Sequence, residues 1–247
     1  MAPLNVLVTG GSSASGIAAA RALALAGHRV FAVGSDRSRI TAAAEEAGDG
    51  VTPLVCDLTS LPAVRELADE VHAAAGPVDG VIHLVGGWRG AKGIEDQPDE
   101  DWDALSSSAL TTLRNVSRVF YRDLADSPAG RLAIVSSTAV SAPTAAAASY
   151  AAAKAAAEAW TFAVADGFRR EQSGVKSESA GTADPVEQHS AAVVFVVKAL
   201  VDAGMRHAHP ERKFPGYTDV EELAAAAVGL FKQPAEEVNG RRIRLVP

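Results

Sequence analysis

Apolar runs rich in β-branched residues recur along the chain, and a helix-like stretch follows each of the first six. The runs are Leu4–Thr9, Arg29–Val33, Val51–Cys56, Gly80–Val85, Arg131–Ser136, Ala192–Ala199 and Arg242–Val246. Between them lie Gly16–Ala26, Arg37–Ala47, Leu61–Ala75, Asp99–Leu124, Ser149–Phe168 and Asp219–Phe231. Inside the runs apolar residues follow one another instead of alternating with polar ones, the mark of strands covered on both faces. Strand–helix alternation of this kind predicts an α/β fold: a doubly wound parallel sheet of about seven strands with helices on both faces. No composition break marks a second domain, so residues 1–247 read as one.

Two stretches interrupt the alternation. Residues 167–190 are rich in Ser, Glu, Gln and Gly and are longer than most helix–strand connections, which predicts a mobile surface insertion or a short helix. Residues 202–217 follow the sixth run and contain Arg206, His207, His209, Pro210 and Pro215. Ligands bind at the carboxyl edge of open parallel sheets, so this second stretch is expected to act as a lid.

Charge narrows the partners. Lys and Arg total 23 against 30 Asp and Glu, a net of −7, which argues against nucleic acid or an anionic membrane as the main partner. No apolar run approaches the ~20 residues of a membrane span. The start, Met-Ala-Pro-Leu-Asn, lacks a basic segment leading into an apolar one, and a cytoplasmic protein is expected. The single cysteine, Cys56, cannot form an internal disulfide and reads as a small core residue. Six histidines are scattered, with only His207 and His209 close together, so no metal site is expected. Alanine, at 51 of 247 residues, blurs helix amphipathicity because it suits either face.

The turn from the first run into the first helix is Leu7-Val-Thr-Gly-Gly-Ser-Ser-Ala-Ser-Gly-Ile17. Glycines allow a tight turn and close approach to a pyrophosphate, and the helix start offers free N–H groups and a positive dipole end. Ser12, Ser13 and Ser15 add hydroxyls. In its place after an N-terminal strand, the turn points to a dinucleotide. Further on, Ser149-Tyr150-Ala-Ala-Ala-Lys154 puts Tyr150 and Lys154 on one helix face. A nearby ammonium would lower the phenol pKa and make Tyr150 a usable acid or base. Ser137 lies thirteen residues before Tyr150, at the end of the fifth run.

Together these residues resemble the short-chain dehydrogenase/reductase family, with atypical motifs. The family pattern of Thr-Gly, three residues, then Gly-x-Gly is matched by Thr9, Gly10 and Gly16, while Ala14 replaces the middle glycine. The resemblance implies a Rossmann-like fold, a homodimer or homotetramer, and an oxidoreductase that exchanges hydride between a nicotinamide and a small carbonyl or alcohol substrate. It implies Ser137, Tyr150 and Lys154 as catalytic residues. Thr9, Gly10, Gly11, Ser12, Ser13, Ser15, Gly16, Ile17, Ser35, Arg37, Asp57, Leu58, Val85, Gly86, Gly87, Tyr150 and Lys154 are the expected cofactor-binding set. Gly34 stands where NAD-preferring members carry a carboxylate; with Ser35 and Arg37 nearby this favours NADP, and Asp36 would favour NAD if it turned inward. Asp57 matches the residue that holds the adenine, and equally suits a helix cap.

Three departures weigh on catalysis. Ala109 replaces the family's helix asparagine, and Asn115 falls on another helical face. Ser108 could substitute only if the helix is locally distorted. His83-Leu84-Val85-Gly86 replaces Asn-Asn-Ala-Gly, and Val201-Asp202-Ala203-Gly204 replaces the usual Pro-Gly. They leave a second reading open, a non-catalytic dinucleotide-binding protein of the same fold. Trp88 is placed to wall a substrate pocket.

Overall fold

A computed structural model describes residues 3–173 and 187–245. Its main sheet contains β1 (Asn5–Thr9), β2 (Arg29–Gly34), β3 (Val51–Val55), β4 (Gly80–His83), β5 (Arg131–Ser137), β6 (Ala191–Val197) and β9 (Arg242–Arg244). All neighbours run parallel, in the order β3-β2-β1-β4-β5-β6-β9. This is the doubly wound parallel sheet that the hydrophobic pattern predicts, and the Rossmann-like fold that the family resemblance implies.

Why the runs do not alternate is visible in the core. Leu7, Phe31, Val33, Val81, Leu132 and Val194 pack to one side, against α3 (Leu61–Ala75), α5 (Thr112–Asp126) and α6 (Ala148–Gln172). Their neighbours Val6, Val8, Val30, Ile82, Ala133, Val193 and Phe195 pack to the other, with α1 (Ala14–Leu25), α8 (Val220–Leu230) and α9 (Ala235–Val238). Side chains still point alternately up and down, but both directions lead into apolar layers. α2 (Arg37–Ala47) flanks β2 and β3. Cys56 is buried as expected, and burial pushes its thiol up to about 11.

Two boundaries differ from expectation. The helix predicted over residues 99–124 is broken into α4 (Asp99–Ser106) and α5 by a π-helical turn, Ser107–Thr111. The insertion expected at residues 167–190 starts later. Phe168 is fully buried at the end of α6, and Gln172 donates to Ala125 O and Ser190 Oγ while accepting from the His189 and Ser190 N–H groups. Its polar composition hid these anchors. Residues 174–186 of that stretch lie outside the described residues. The segment expected as a lid holds α7 (Ala203–Ala208) and is closed at its base by a short parallel ribbon, β7 (Leu200–Val201) with β8 (Thr218–Asp219).

At the opposite end of the sheet, Arg131 is buried at 4% exposure with a guanidinium among backbone carbonyls. It donates to Leu230 O, Gly130 O, His189 O and Gln233 O. These carbonyls include the C-terminal end of α8, where the helix dipole favours a cation. Burial lowers its pKa to about 10, so the charge persists at neutral pH. One side chain thus joins β5, the approach to β6 and the end of α8. We expect Arg131→Met to cost at least about 2 kcal/mol, because buried carbonyls lose their donors. The measurement is the urea midpoint at constant m-value; an unchanged midpoint would show that these carbonyls find water in the variant.

Candidate active site

The sheet order reverses between β1 and β4, and at the carboxyl ends of these strands two clefts adjoin, of about 430 Å³ and 650 Å³. Ser13, Leu84, Val85 and Gly86 line both, so the two form one groove. A groove at such a switch point is where this architecture receives extended ligands.

The β1–α1 turn forms its floor. Gly10 has φ +75°, and a Cβ there would meet Leu84 O at 2.8 Å. Only glycine satisfies both demands. A Cβ on Gly16 would collide with the Gly10 carbonyl, so α1 starts tight against the turn. Ser13 caps α1, accepting from Gly16 N–H at 3.0 Å and donating to Gly10 O at 2.8 Å. Ala14 is the exposed first residue of α1 and is not among the positive-φ residues, so its methyl brings no backbone strain.

Twelve of the expected cofactor residues line the groove, among them Gly10, Ser12, Ser35, Asp57 and Leu58 in the first cleft, Ser15, Gly87, Tyr150 and Lys154 in the second, and Ser13 in both. Val85 and Gly86 line both. Thr9, Gly11, Gly16 and Ile17 instead build the turn from behind. Gly11 donates to Val33 O at 2.9 Å, and Ile17 packs on the sheet. Arg37 is exposed and does not line the groove; Arg39 does. Helix phase is the reason. Asp36 caps α2 by accepting from Arg39 N–H at 2.8 Å, which fixes the first turn with Arg39 toward the cleft. The Asp36 carboxylate also accepts from Ser38 Oγ at 2.6 Å, and these bonds hold its pKa below the usual carboxylate range. Asp57 accepts from Thr59 N–H and Oγ in a tight turn, while Ser60 caps α3. Asn115 serves this same loop, donating to Leu58 O and Thr59 O at 3.0 and 2.9 Å.

In the second cleft, Tyr150 and Lys154 rise from the first turns of α6 beside the end of β5. Burial raises the Tyr150 phenol, and a hydrogen bond with Ser137 offsets this only in part. The expected lowering by Lys154 is absent from these causes. Lys154 instead donates to Val135 O at 2.8 Å and lies in the field of Glu158, one helical turn on. Burial lowers Lys154 to about 8, against the opposing pull of Glu158. Gly86 is needed here, since a Cβ would stand 3.2 Å from Lys154 Nζ.

Sequence reasoning missed Gln97, Glu158 and Arg242. Gln97 accepts from Ser149 N–H and Oγ and donates to Ala145 O, pinning the loop after β4 to the start of α6. Glu158 had a signal: Lys154 and Glu158 are the only charged residues from Ala148 to Val164, four apart on one face. Trp88 walls the cleft, as do Met205 and Tyr217 from the segment expected as a lid. Ala109 packs with Leu105, Ala153 and Tyr150. The helix is distorted there, as a substitute role for Ser108 requires, but Ser108 Oγ donates back to Leu105 O. Among the described residues no cluster suits a metal ion, and no helix is long and apolar enough to cross a membrane.

His83 stands behind the site. Thr112 Oγ donates to Ser108 O, which leaves it to accept from His83 Nε2, and Nδ1 then accepts from Thr9 Oγ at 2.7 Å. Burial first, and Lys154 second, lower its pKa from 6.5 to about 3. The unfolded chain therefore binds a proton that the fold rejects. The stability this provides is complete above pH 6.5 and is lost as pH falls toward 3, at up to about 1.4 kcal/mol per pH unit. His83→Gln should flatten the urea-midpoint profile between pH 6 and 4; an equally steep profile would assign the acid sensitivity to other groups.

Comparison with known proteins agrees with this geometry. The short chain dehydrogenase family pattern matches residues 4–183. A 3β-hydroxysteroid dehydrogenase from Mediterraneibacter gnavus is 33% identical over 110 residues, 43% of this chain and 40% of that protein. An acetoacetyl-CoA reductase from Shinella zoogloeoides is 32% identical over 133 residues, 53% of this chain and 54% of that protein. The matches thus span about half the length of these curated relatives. In fold, the chain is similar to an NADPH-bound short chain oxidoreductase with an atypical catalytic centre from Pseudomonas aeruginosa, at a TM-score of 0.81 and 19% identity, covering 98% of this chain and 95% of that one. With a seven-stranded parallel sheet, a glycine turn at its switch point and the family pattern over most of its length, the chain belongs to the short chain dehydrogenase family.

Proposed function

We propose that the protein is an NADP(H)-dependent oxidoreductase acting between a carbonyl and an alcohol, with Tyr150 as acid and base. The observation that carries this reading is the meeting of Ser137, Tyr150 and Lys154 beside the second cleft, continuous with the glycine turn. The residues present fit a dinucleotide. Of the first N–H groups of α1, Ser13 satisfies one and others remain for a pyrophosphate. The missing Cβ atoms of Gly10 and Gly86 leave room for close approach. Asp57 and Leu58 would hold the adenine, and Val85, Gly86 and Gly87 would border the nicotinamide. When bound, the nicotinamide supplies or accepts the hydride.

The chain's own residues handle the proton and the oxygen. Ser137 and Tyr150 hydroxyls donate to the substrate oxygen, where negative charge develops during reduction. Tyr150 then releases its proton to that oxygen, or takes it up in oxidation. Lys154, fixed by Val135 O, holds an ammonium in the same cleft as the phenol. Trp88, Leu200, Met205 and Tyr217 give the substrate an apolar wall and hold water away from the reacting carbon. The names of the two curated relatives, a dehydrogenase and a reductase, support this reaction class.

NADP is preferred on two grounds. Ser35 and Arg39 line the cleft where a 2′-phosphate would lie, and the Asp36 carboxylate, which borders the same cleft and would favour NAD, is engaged by Ser38 and Arg39 N–H. The P. aeruginosa neighbour binds NADPH, in keeping with that. At matched concentrations NADPH should raise the melting temperature more than NADH, because a ligand stabilises by RT ln(1 + [L]/Kd). Arg39→Ala should remove most of the difference, and a larger shift with NADH would reverse the assignment to Asp36.

Turnover tests the chemistry. Tyr150→Phe keeps the ring and removes the proton, so carbonyl-dependent NADPH oxidation should fall by about 10²–10⁴-fold. The NADPH-induced melting shift should survive that change. A Tyr150→Phe variant that keeps the wild-type rate refutes the mechanism. Wild-type protein that binds NADPH but oxidises it with no carbonyl compound supports the non-catalytic reading, which the apolar Ala109 beside Tyr150 favours.

A further inference from the structure

Behind Lys154 lies a second charged group that the proposed reaction does not use. Glu158 is 5% exposed, and Ser136 Oγ donates to its Oε1 at 2.5 Å. Arg242, from the edge strand β9, pairs with Oε2 at 3.0 Å through Nε and reaches Oε1 at 3.3 Å through Nη2. Arg242 also donates to Ser141 Oγ at 2.9 Å and is about one-third exposed. A buried carboxylate is costly unless hydrogen-bonded and paired, and this one is both. It stands one helical turn beyond Lys154, on the same face of α6.

The surroundings of Lys154 are otherwise poor in negative charge. β5 offers the Val135 carbonyl and the Ser136 hydroxyl, whose proton goes to Glu158. β4 offers His83, which is neutral, and α6 itself offers Tyr150 and Glu158. Where the π-turn meets α6, Ala109 contributes only a methyl. β9 contributes Arg242, a second cation that shares Glu158.

We propose that Glu158, fixed by Ser136 and Arg242, is the counter-charge that keeps Lys154 an ammonium, and that Arg242 limits how strongly it does so. Glu158 is thus a positioning residue acting through Lys154. Its catalytic consequence rests on the reading of Tyr150 and Lys154 given above; its effect on Lys154 charge does not. Burial alone drives Lys154 toward the neutral amine, and Glu158 opposes that, leaving it near 8. Arg242 draws on the same carboxylate, so the two residues act on Lys154 with opposite sign.

The opposite signs make the test. The chain contains six lysines, so [ε-¹³C]lysine labelling gives few NMR signals, and Lys154→Arg identifies the one of interest. Glu158→Gln keeps the shape and the ability to accept from Ser136 while removing the charge. Its Lys154 midpoint should fall by about one pH unit or more, the size expected on losing a nearby opposite charge. Arg242→Gln should raise the midpoint, and Glu158→Asp should restore part of the wild-type value. A Glu158→Gln midpoint that is unchanged or higher, or a fall in Arg242→Gln, overturns the proposal. If Glu158→Gln does not fold, judged by the other lysine signals, Arg242→Gln decides through the direction of its own shift. The kcat–pH profile is read separately. Midpoints that move as expected in a protein without turnover would sustain this inference while the proposed function fails, and unmoved midpoints in an active enzyme would do the reverse.

Discussion

A lysine ammonium held out of water is the constraint around which the carboxyl edge of this sheet is built. Lys154 is 8% exposed, and a charge so placed must be paired and hydrogen-bonded or it gives up its proton. The Val135 carbonyl meets the second requirement and Glu158 the first. Each answer constrains another element. Val135 is available because β5 extends past its neighbour β4 before the chain leaves the sheet. Glu158 is tolerable because Ser136 on the same strand, and Arg242 on β9, satisfy both of its oxygens. Gly86 leaves Lys154 its space from the β4 side. Strand lengths, a glycine and the edge strand are thereby tied to one side chain.

The same end of the sheet also has to admit a ligand between layers that are otherwise close-packed. It does so by subtracting atoms at the turn. Gly10 turns with positive φ beneath Leu84, Gly16 lets α1 begin against Gly10, and Ala-rich α1 packs closely on α8 behind them. Polar groups near the opening are engaged by local partners: Ser13 by the α1 start, Asp36 by the α2 start and Asp57 by its own turn. They are rigid before any ligand arrives, which lowers the ordering cost of binding.

The sheet and the Tyr150–Lys154 face could be read from the sequence because each depends on local rules. Covered strands show as unbroken apolar runs, and residues four apart on a helix meet whatever surrounds them. The readings that changed depend on phase or on distant partners. Arg37 and Arg39 both follow closely on the second strand in sequence; only the Asp36 cap decides which enters the cleft. The π-turn at Ser107–Thr111 adjusts α4 and α5 to Thr112 and His83, and neither its serines nor Ala109 signals it. The link from Glu158 to Arg242 joins residues 84 apart in the chain, beyond the reach of any periodicity. Lys154 was expected to lower the Tyr150 phenol, but spacing cannot show that Val135 O would claim its hydrogen bond.

His83 and Lys154 together show why this edge must be polar and dry at once. Both are buried, and the Lys154 ammonium adds to the burial that keeps His83 neutral, since two cations at close range in a poorly solvated region repel. Only one can be charged near neutral pH. Their surroundings decide which: His83 meets two threonine hydroxyls, which suit a neutral imidazole, whereas Lys154 meets a carbonyl and the field of a carboxylate, which suit a cation. The order of protonation is therefore set by uncharged partners on one side and a charged partner on the other. An asparagine in place of His83 could keep polar contacts there but would remove a titratable neighbour from Lys154. The His83-Leu84-Val85-Gly86 departure therefore meets the charge of Lys154, which Glu158 holds from another direction.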